Sequence, residues 1–298
     1  MSGNYYLRNV SFVICFFVYL IAFTVAGGFL FFYQGNMNQL LLALIADVIA
    51  TVVVFVFSTI FKNASLYDPY WSVAPPLIAW YWISTGNQSL ATNAMLAVIL
   101  FWAVRLTLNW ARGWKGLVHE DWRYVMLRNK NPKIYWFTNL AGIHLFPTVM
   151  VFLGMLPVYF ATHYIDPNCS GVCFNPYILL AGFIISTLAT IIELLADEQM
   201  RAFKKQALPG QFIQQGLWKY SRHPNYFGEI SFWFGLFVMQ MSVSTEFAFT
   251  AVGFIAMLLM FLFASIPMME EKNRNSKPGY AEYVKRVSVL MPWFRKPE

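Results

Sequence analysis

Glu193, Asp197, Arg201 and Lys204 follow one another at intervals of four, four and three residues. On a helix this spacing lines one face, with carboxylates at one end and cations at the other. The segment around Glu193 is apolar. An ionisable group there costs roughly 2.5–3.5 kcal/mol to insert into a membrane, which makes function its default meaning. Ion pairs along the helix and snorkelling at a membrane boundary would account for Arg201 and Lys204, but they leave Glu193 unexplained. Arg105 and Asn109 repeat the interval of four, and Arg112 closes the same apolar run. Arg112 reads most simply as a snorkelling cation. Arg105 lies further inside and needs a partner, either Glu193 or the phosphate of a ligand. Asp47 stands mid-run with no second acid near it in sequence, and reads as a hydrogen-bonded packing residue.

The densest cluster is GLWKYSRHPNYFGE, residues 216–229. Pro224 disfavours helix just before it, so Arg222 and His223 end a loop while Asn225, Tyr226 and Glu229 begin the next helix. A helix start ringed by Arg, His and Asn suits an anion; a capped helix with snorkelling cations would look the same. Beside it stands the tail, Met269-Glu270-Glu271-Lys272-Asn273-Arg274, then Pro278-Gly279-Tyr280 and Tyr283, which is more than a stop-transfer end requires. In WKGLVHEDWRYVMLR, residues 114–128, Trp114 and Trp122 read as interfacial anchors. The charges packed at Glu120, Asp121 and Arg123 exceed what anchoring needs. Asp68 sits at the mouth of another apolar run. No zinc spacing, Walker loop, nucleophile elbow or haem motif is present, and Gly27-Gly28 lacks a dinucleotide-fold context. His144 and His163 stand alone and read as packing or interfacial residues, so no metal site is expected.

Long apolar helices must position these residues. Of 298 residues, 58% are hydrophobic, 19% aromatic and only 12% charged, about half the charge of a soluble domain; the mean hydropathy is +0.52. This excludes a disordered chain, a nucleic-acid-binding domain and an ordinary soluble enzyme. It leaves an all-α, polytopic bundle of transmembrane helices in contact with membrane lipids. The net charge of +7 then reflects topology rather than nucleic-acid binding. Eight runs are long enough to be considered: 10–33, 40–61, 71–86, 90–111, 134–163, 177–203, 225–243 and 246–268. The third is short, and its Pro75-Pro76 predicts a kink or break; the seventh is short and begins in polar sequence. The first is too long for a signal-peptide core and is expected to stay as a span.

With eight spans, the loops 34–39, 87–89, 164–176 and 244–245 share one side and carry no Lys or Arg. Arg105 and Arg201 lie within spans, and every other cation falls on the opposite side. The positive-inside rule therefore places both termini and the long polar segments in the cytoplasm, in a bacterial cell at the inner membrane. Asp166, Cys169 and Cys173 share one loop on the far side, where the cysteines could pair in an oxidising compartment; Cys15 lies in an apolar run. Residues 1–64 read as an N-terminal transmembrane hairpin and 65–298 as the chemical domain with its cytoplasmic loops and tail.

Residues 217–229, Glu193-x-x-x-Asp197 and the tail EEKNR…PGYAEYVKRV…P resemble the C-terminal domain of steroid 5-alpha-reductases. More closely they resemble the bacterial branch catalogued as a domain of unknown function (DUF1295-like). Asp68–Ser72 (DPYWS), Arg105-x-x-x-Asn109 and the stretch 116–124 resemble the same branch, and the resemblance runs from about residue 65 to 294. It implies a helical membrane reductase that binds NADPH from the cytoplasm and delivers hydride to the C=C of an enone in a lipid-soluble substrate, steroid-like or prenyl. Carried over by position, it implies cofactor contacts at Asp197, Lys204, Asn225, Tyr226, Glu229 and Arg274. Glu193 stands where animal enzymes have Asn, and Arg105 matches a basic position beside the active site. Asn109, Arg112, Arg201, Arg222, His223, Glu271 and Tyr283 complete the expected cofactor set. Asp68 is the match for a catalytic Glu near the substrate carbonyl. Trp102 replaces a carbonyl-polarising Tyr; an indole donates a hydrogen bond but is no general acid, so Tyr67 or Tyr70 would have to substitute.

The same residues are consistent with that chemistry. NADPH carries about four negative charges and needs cations and helix ends, and Arg112, Lys204, Arg222 and Arg274 lie in the right region. Hydride addition builds negative charge on the carbonyl oxygen, which a carboxylic acid in a dry pocket can meet. Two other classes share features. Isoprenylcysteine and phospholipid methyltransferases, using S-adenosylmethionine, have a similar RHP…E run, although the long N-terminal half and Glu193-x-x-x-Asp197 argue against them. A non-enzymatic lipid transporter would use the intramembrane charges as a path, although here they gather at one face.

Overall fold

The computed structural model describes residues 2–164 and 174–296, with side chains from Leu7 onward. Asp166, Cys169 and Cys173 lie outside the described residues. Helices α1 (Ser2–Phe32), α2 (Gln39–Ile60), α3 (Tyr70–Thr85) and α4 (Leu90–Gly113) lead to the short α5 (Trp122–Lys130) and α6 (Tyr135–Phe137). A π-helical stretch, Thr138–Leu145, joins α6 to α7 (Phe146–His163). Then come α8 (Pro176–Gln206), α9 (Pro224–Met241) and α10 (Val252–Met260), a π turn over Phe261–Ser265, α11 (Ile266–Ser276) and α12 (Tyr280–Arg286). Among the described residues the sole β feature is an isolated bridge between Ser221 and Ser288.

Helices appear at all eight expected runs. Among the described residues, six helical segments are long and apolar enough to cross a membrane. The two that fall short are α3 with 16 residues and α9 with 18, the same two that the sequence marks as short. Phe16 and Phe17 on α1 are exposed at 64% and 52%. Aromatic residues bared along such a helix fit a lipid solvent. The chain is therefore a multi-pass membrane protein. The expected break in α3 does not occur: the helix starts just after Pro69 and runs on through Pro75 and Pro76. Helix starts follow local rules. The Asn38 side chain caps α2 through the Leu41 amide at 2.8 Å, Asn175 caps α8 ahead of Pro176, and Pro224 occupies the first turn of α9, where its missing N–H costs nothing.

Two compact units emerge. The first comprises residues 1–85 and 106–152, the second 86–105 and 153–298. In the first, α1 packs along α2, and a buried polar chain threads the apolar core. Tyr67 and Thr51 both bond Thr148, at 2.7 and 2.8 Å, while His144 bonds Ser58 at 3.0 Å. The second unit is organised by α8 and α9. A Cβ on Gly182 would come within 2.6 Å of Met239, and Cβ atoms on Gly228 and Gly235 would strike Glu193 and Ser186. Small residues bring the two backbones together, as in other membrane helix pairs, and this closeness sets Glu193 beside the start of α9.

Candidate active site

The second unit carries a charged cluster inside its spans. Arg105 on α4, 7% exposed, donates to Glu193 and to Asp197, one turn apart on α8. The expected choice between Glu193 and a ligand phosphate thus falls to the carboxylates. Glu229 on α9 is close enough to act on both Arg105 and Glu193. Its Oε2 accepts from Trp102 Nε1 at 3.1 Å and its Oε1 from Trp233 Nε1 at 2.9 Å. Trp102 is fully buried and stacks on Phe232, centroids 4.9 Å apart and planes 10° from parallel. Three acids thus surround one guanidinium, an arrangement that stabilises cations and interhelical contacts rather than anions. Arg201 sits a turn beyond Asp197 and pairs with Glu198 at 3.5 Å.

Cations dominate where α8 ends. A cavity of about 410 Å³ is lined by Lys204, Arg222 and Lys277 together with Trp218, Tyr280 and Tyr283. Its frame is well tied. Trp218 Nε1 donates to the Ala196 carbonyl at 3.1 Å, and Tyr283 Oη donates to the Trp218 carbonyl at 2.5 Å. Arg222 gives its Nε to Glu270 Oε1 at 2.6 Å and its Nη1 to the carbonyls of Val284 and Val287, both at 2.7 Å. That guanidinium therefore stitches the loop before α9 to α11 and α12. Glu270 also lies 3.5 Å from His223 Nε2 and 3.4 Å from Arg274. His223 stacks on Tyr226, which packs on Phe261. Burial, with Lys204 and Lys272 nearby, pushes the Lys277 ammonium below its ordinary value. Like charges held together in this way favour an anionic guest.

The first unit holds two of the three expected catalytic residues in separate settings. Asp68, at the end of a short 3-10 turn, accepts from Tyr124 Oη at 2.6 Å. Burial raises its carboxyl to about 6, against the opposing pull of Arg123 and the Tyr124 hydrogen bond. Asp121 caps α5 and bonds Arg123 at 2.8 Å; Glu120 takes the Ala64 amide and Arg128. The charges at 120–123 therefore fix the loop around Asp68. Tyr70 does not join Asp68. Its hydroxyl donates to Asp47 Oδ1 at 2.7 Å, which also gives Asp47 a partner that its sequence neighbourhood did not reveal. Trp102, the third expected catalytic residue, belongs to the second unit and is engaged with Glu229.

Of the expected cofactor residues, Lys204, Arg222 and Tyr283 line the cavity, and His223 and Tyr226 stack on one another close by. Asn225 is half-buried in the first turn of α9, and Glu271 and Arg274 are exposed on α11. Arg105, Glu193, Asp197 and Glu229 form the intramembrane cluster. Asn109 is half-buried on α4, and Arg112 is exposed on its last turn. Sequence reasoning missed Glu270 as the shared carboxylate of Arg222, His223 and Arg274. It also missed Trp218, Lys277 and Tyr280 as walls, and Trp233 as the second donor to Glu229. The interval of four between Glu270 and Arg274, and between Glu229 and Trp233, was the available signal.

Helical spans, an acid-rich intramembrane cluster and a cation-lined cavity together define a multi-pass helical membrane protein with a built polar site. Residues 54–287 match the family described as "Protein of unknown function (DUF1295)", and the chain belongs to that family, the steroid 5-alpha reductase-like group. It is similar to a protein of Schizosaccharomyces pombe described as uncharacterized, with 25% identity over an alignment 298 positions long that covers 91% of this chain and 85% of the relative. No solved structure gives a significant match.

Proposed function

We propose that this protein is a membrane-embedded reductase that uses NADPH to saturate the C=C of an enone in a lipid-soluble molecule, steroid-like or prenyl. Its cation-bearing loops and both termini face the cytoplasm, in a bacterial cell from the inner membrane. The observation that carries this is the cavity at the end of α8, about 410 Å³ with Lys204, Arg222 and Lys277 on its walls. That volume falls within the range of ligand sites, about 300–1,000 Å³. The wall chemistry fits one phosphorylated, aromatic half of a dinucleotide. Lys204 and Lys277 offer mobile cations to phosphates, and Trp218, Tyr280 and Tyr283 offer flat apolar surfaces to a base. Arg222 is held in place by Glu270 and two carbonyls, so it contributes a fixed charge rather than a flexible clamp.

When bound, NADPH supplies the hydride. The protein's own part is to orient, to keep water out and to handle one proton. The apolar spans provide the dry surroundings. Asp68 keeps its proton up to about pH 6, which suits a donor to an oxygen that gains negative charge. Tyr124, 2.6 Å from Asp68 Oδ1, fixes that carboxyl.

Titration of purified protein with NADPH, NADH and S-adenosylmethionine tests the proposal. NADPH is expected to bind in the micromolar range and to be oxidised when an enone steroid or prenyl ketone is added. Binding of S-adenosylmethionine alone would point to methyl transfer. Lipid movement in proteoliposomes without any nucleotide binding would point to a transporter.

A further inference from the structure

The last described residues of the chain form a strap. From Tyr283 to Lys296 it carries Lys285, Arg286, Arg295 and Lys296 and no acid. Backbone hydrogen bonds pin it beside the loop ahead of α9. The Arg222 amide donates to the Ser288 carbonyl at 2.9 Å, the Trp293 amide to the Tyr220 carbonyl at 3.0 Å, and the Lys296 amide to the Arg286 carbonyl at 3.0 Å. Ser221 Oγ adds a bond to the Leu290 carbonyl at 2.7 Å. The large apolar side chains of the strap are nevertheless bare. Met291, Trp293 and Phe294 are exposed at 63%, 67% and 78%, and Phe294 meets the Tyr220 ring edge-on, centroids 6.4 Å apart.

The depth of the strap follows from α8. The loop that holds it is tied to that span: the Leu217 amide donates to Gln199 Oε1 at 2.9 Å, and Trp218 Nε1 to the Ala196 carbonyl at 3.1 Å. Gln199 precedes the end of α8 at Gln206 by about 10 Å along the axis. In those last turns Arg201, Lys204 and Lys205 replace the apolar residues. Loop and strap therefore lie where a membrane span passes among the head groups, the depth at which aromatic side chains anchor. The charge there is positive. Glu282 matches Lys285 at 2.8 Å, but Arg295 reaches the neutral Gln214 Oε1 at 3.4 Å and Lys219 lies over the Tyr220 ring, 5.7 Å from its centroid. Bare rings beside surplus cations complement the two layers of an anionic bilayer surface, acyl boundary and phosphates.

We propose that residues 291–296, with Lys219 and Tyr220, form a docking surface for anionic phospholipids of the bilayer that this protein spans. Trp293 and Phe294 enter the acyl boundary, and Lys219, Arg295 and Lys296 meet the phosphates of neighbouring head groups. Lipid so bound holds the strap against the loop Tyr220–Arg222. This surface does not rest on the reductase reading, because it uses neither the side chains that line the cation-lined cavity nor Asp68.

Hydrogen–deuterium exchange of the full-length protein tests it, in nanodiscs of phosphatidylcholine alone and of phosphatidylcholine with a third phosphatidylglycerol. Peptides from the strap are read by mass spectrometry, since the bonded amides of Trp293 and Lys296 exchange when the strap lets go. Exchange there is expected to be about threefold slower with phosphatidylglycerol at low salt, and the difference should shrink at high salt. Inorganic phosphate added to the phosphatidylcholine discs should not reproduce it, and exchange along α8 should stay the same throughout. Arg295→Gln combined with Lys296→Gln should abolish the difference between the two lipids. Trp293→Ser combined with Phe294→Ser, both at exposed positions, should speed exchange of the strap in both. The proposal is overturned if the strap exchanges alike in the two membranes, if inorganic phosphate slows it as well as the lipid does, if the glutamine variant keeps the parent's lipid difference, or if the serine variant exchanges like the parent.

Discussion

Arg105 and Arg222 sit in the same unit, and both are held by carboxylates, yet the surroundings differ in sign. Arg105 is outnumbered: Glu193 and Asp197 bind it and Glu229 lies close. Around Arg222 the numbers reverse, because the single carboxylate of Glu270 is shared with His223 and Arg274. The first arrangement fastens spans together and surrounds the cation with a surplus of acids. The second fastens a loop and tail while leaving positive charge over, at Lys204 and Lys277, beside a cavity. The same ion-pair chemistry yields a structural rivet where acids are in excess and a receptive surface where bases are.

The sharpest way to break this contrast is Arg105→Met. It strands two acids inside the spans, and removal of one side of a buried ion pair costs about 3–5 kcal/mol. Thermal unfolding in detergent should show the loss, with Arg105→Lys recovering only part of it, since one ammonium cannot serve two carboxylates in a fixed fork. A variant as stable as the parent would mean that the cluster is not a rivet. Arg222→Ala should cost less, about 2–3 kcal/mol for its charge-assisted bonds, and locally. Trypsin should cut residues 277–296 faster while the helical content of the spans is unchanged.

Asp68 offers a third pairing, a carboxyl with a tyrosine instead of an arginine. Its ordinary value is about 3.9, and the fold raises it to about 6. The folded state then binds the proton more tightly than the unfolded chain. Stability from this group is fully present below about pH 4, falls as pH rises toward 6, and is level above. Asp68→Asn should flatten that window by roughly 1–2 kcal/mol after allowance for solvent screening, as read by unfolding temperature at pH 4.5 and 7, and should lower turnover more than cofactor affinity. The smallest effect belongs to the receptive surface. Lys204→Ala and Lys277→Ala should each weaken NADPH binding about fivefold, close to 1 kcal/mol, more at low salt than at high, with no change in unfolding temperature.

Much of the scaffold could be read from residue order. Apolar runs and their cation-free loops located eight helical segments, because the bilayer demands long uninterrupted apolar stretches. The face Glu193–Asp197 was also legible, as was the need of Arg105 for a partner, Glu193 or a ligand phosphate, since helix periodicity and the cost of buried charge are local arguments. What could not be read depends on contacts between distant segments. Asp47 looked solitary because its partner Tyr70 lies on another helix. Trp102 bonds Glu229, 127 positions away, a pairing that no local spacing announces. Pro75 and Pro76 predicted a kink or break, and the helix runs on through both. Glu271 was favoured over Glu270, and which of two adjacent acids turns inward is a question of helix phase.

The π turn at Phe261–Ser265 answers that question. In an unbroken α-helix, residues nine positions apart, such as Phe261 and Glu270, would point in opposite directions, about 180° apart at roughly 100° per residue. One surplus residue absorbed in a wide turn subtracts about 100°, bringing both side chains round to a common flank. Phe261 can then meet Tyr226 while Glu270 meets Arg222 and His223. The swollen turn acts as a rotary adjustment, letting a single continuous rod grip the entrance of α9 at two heights.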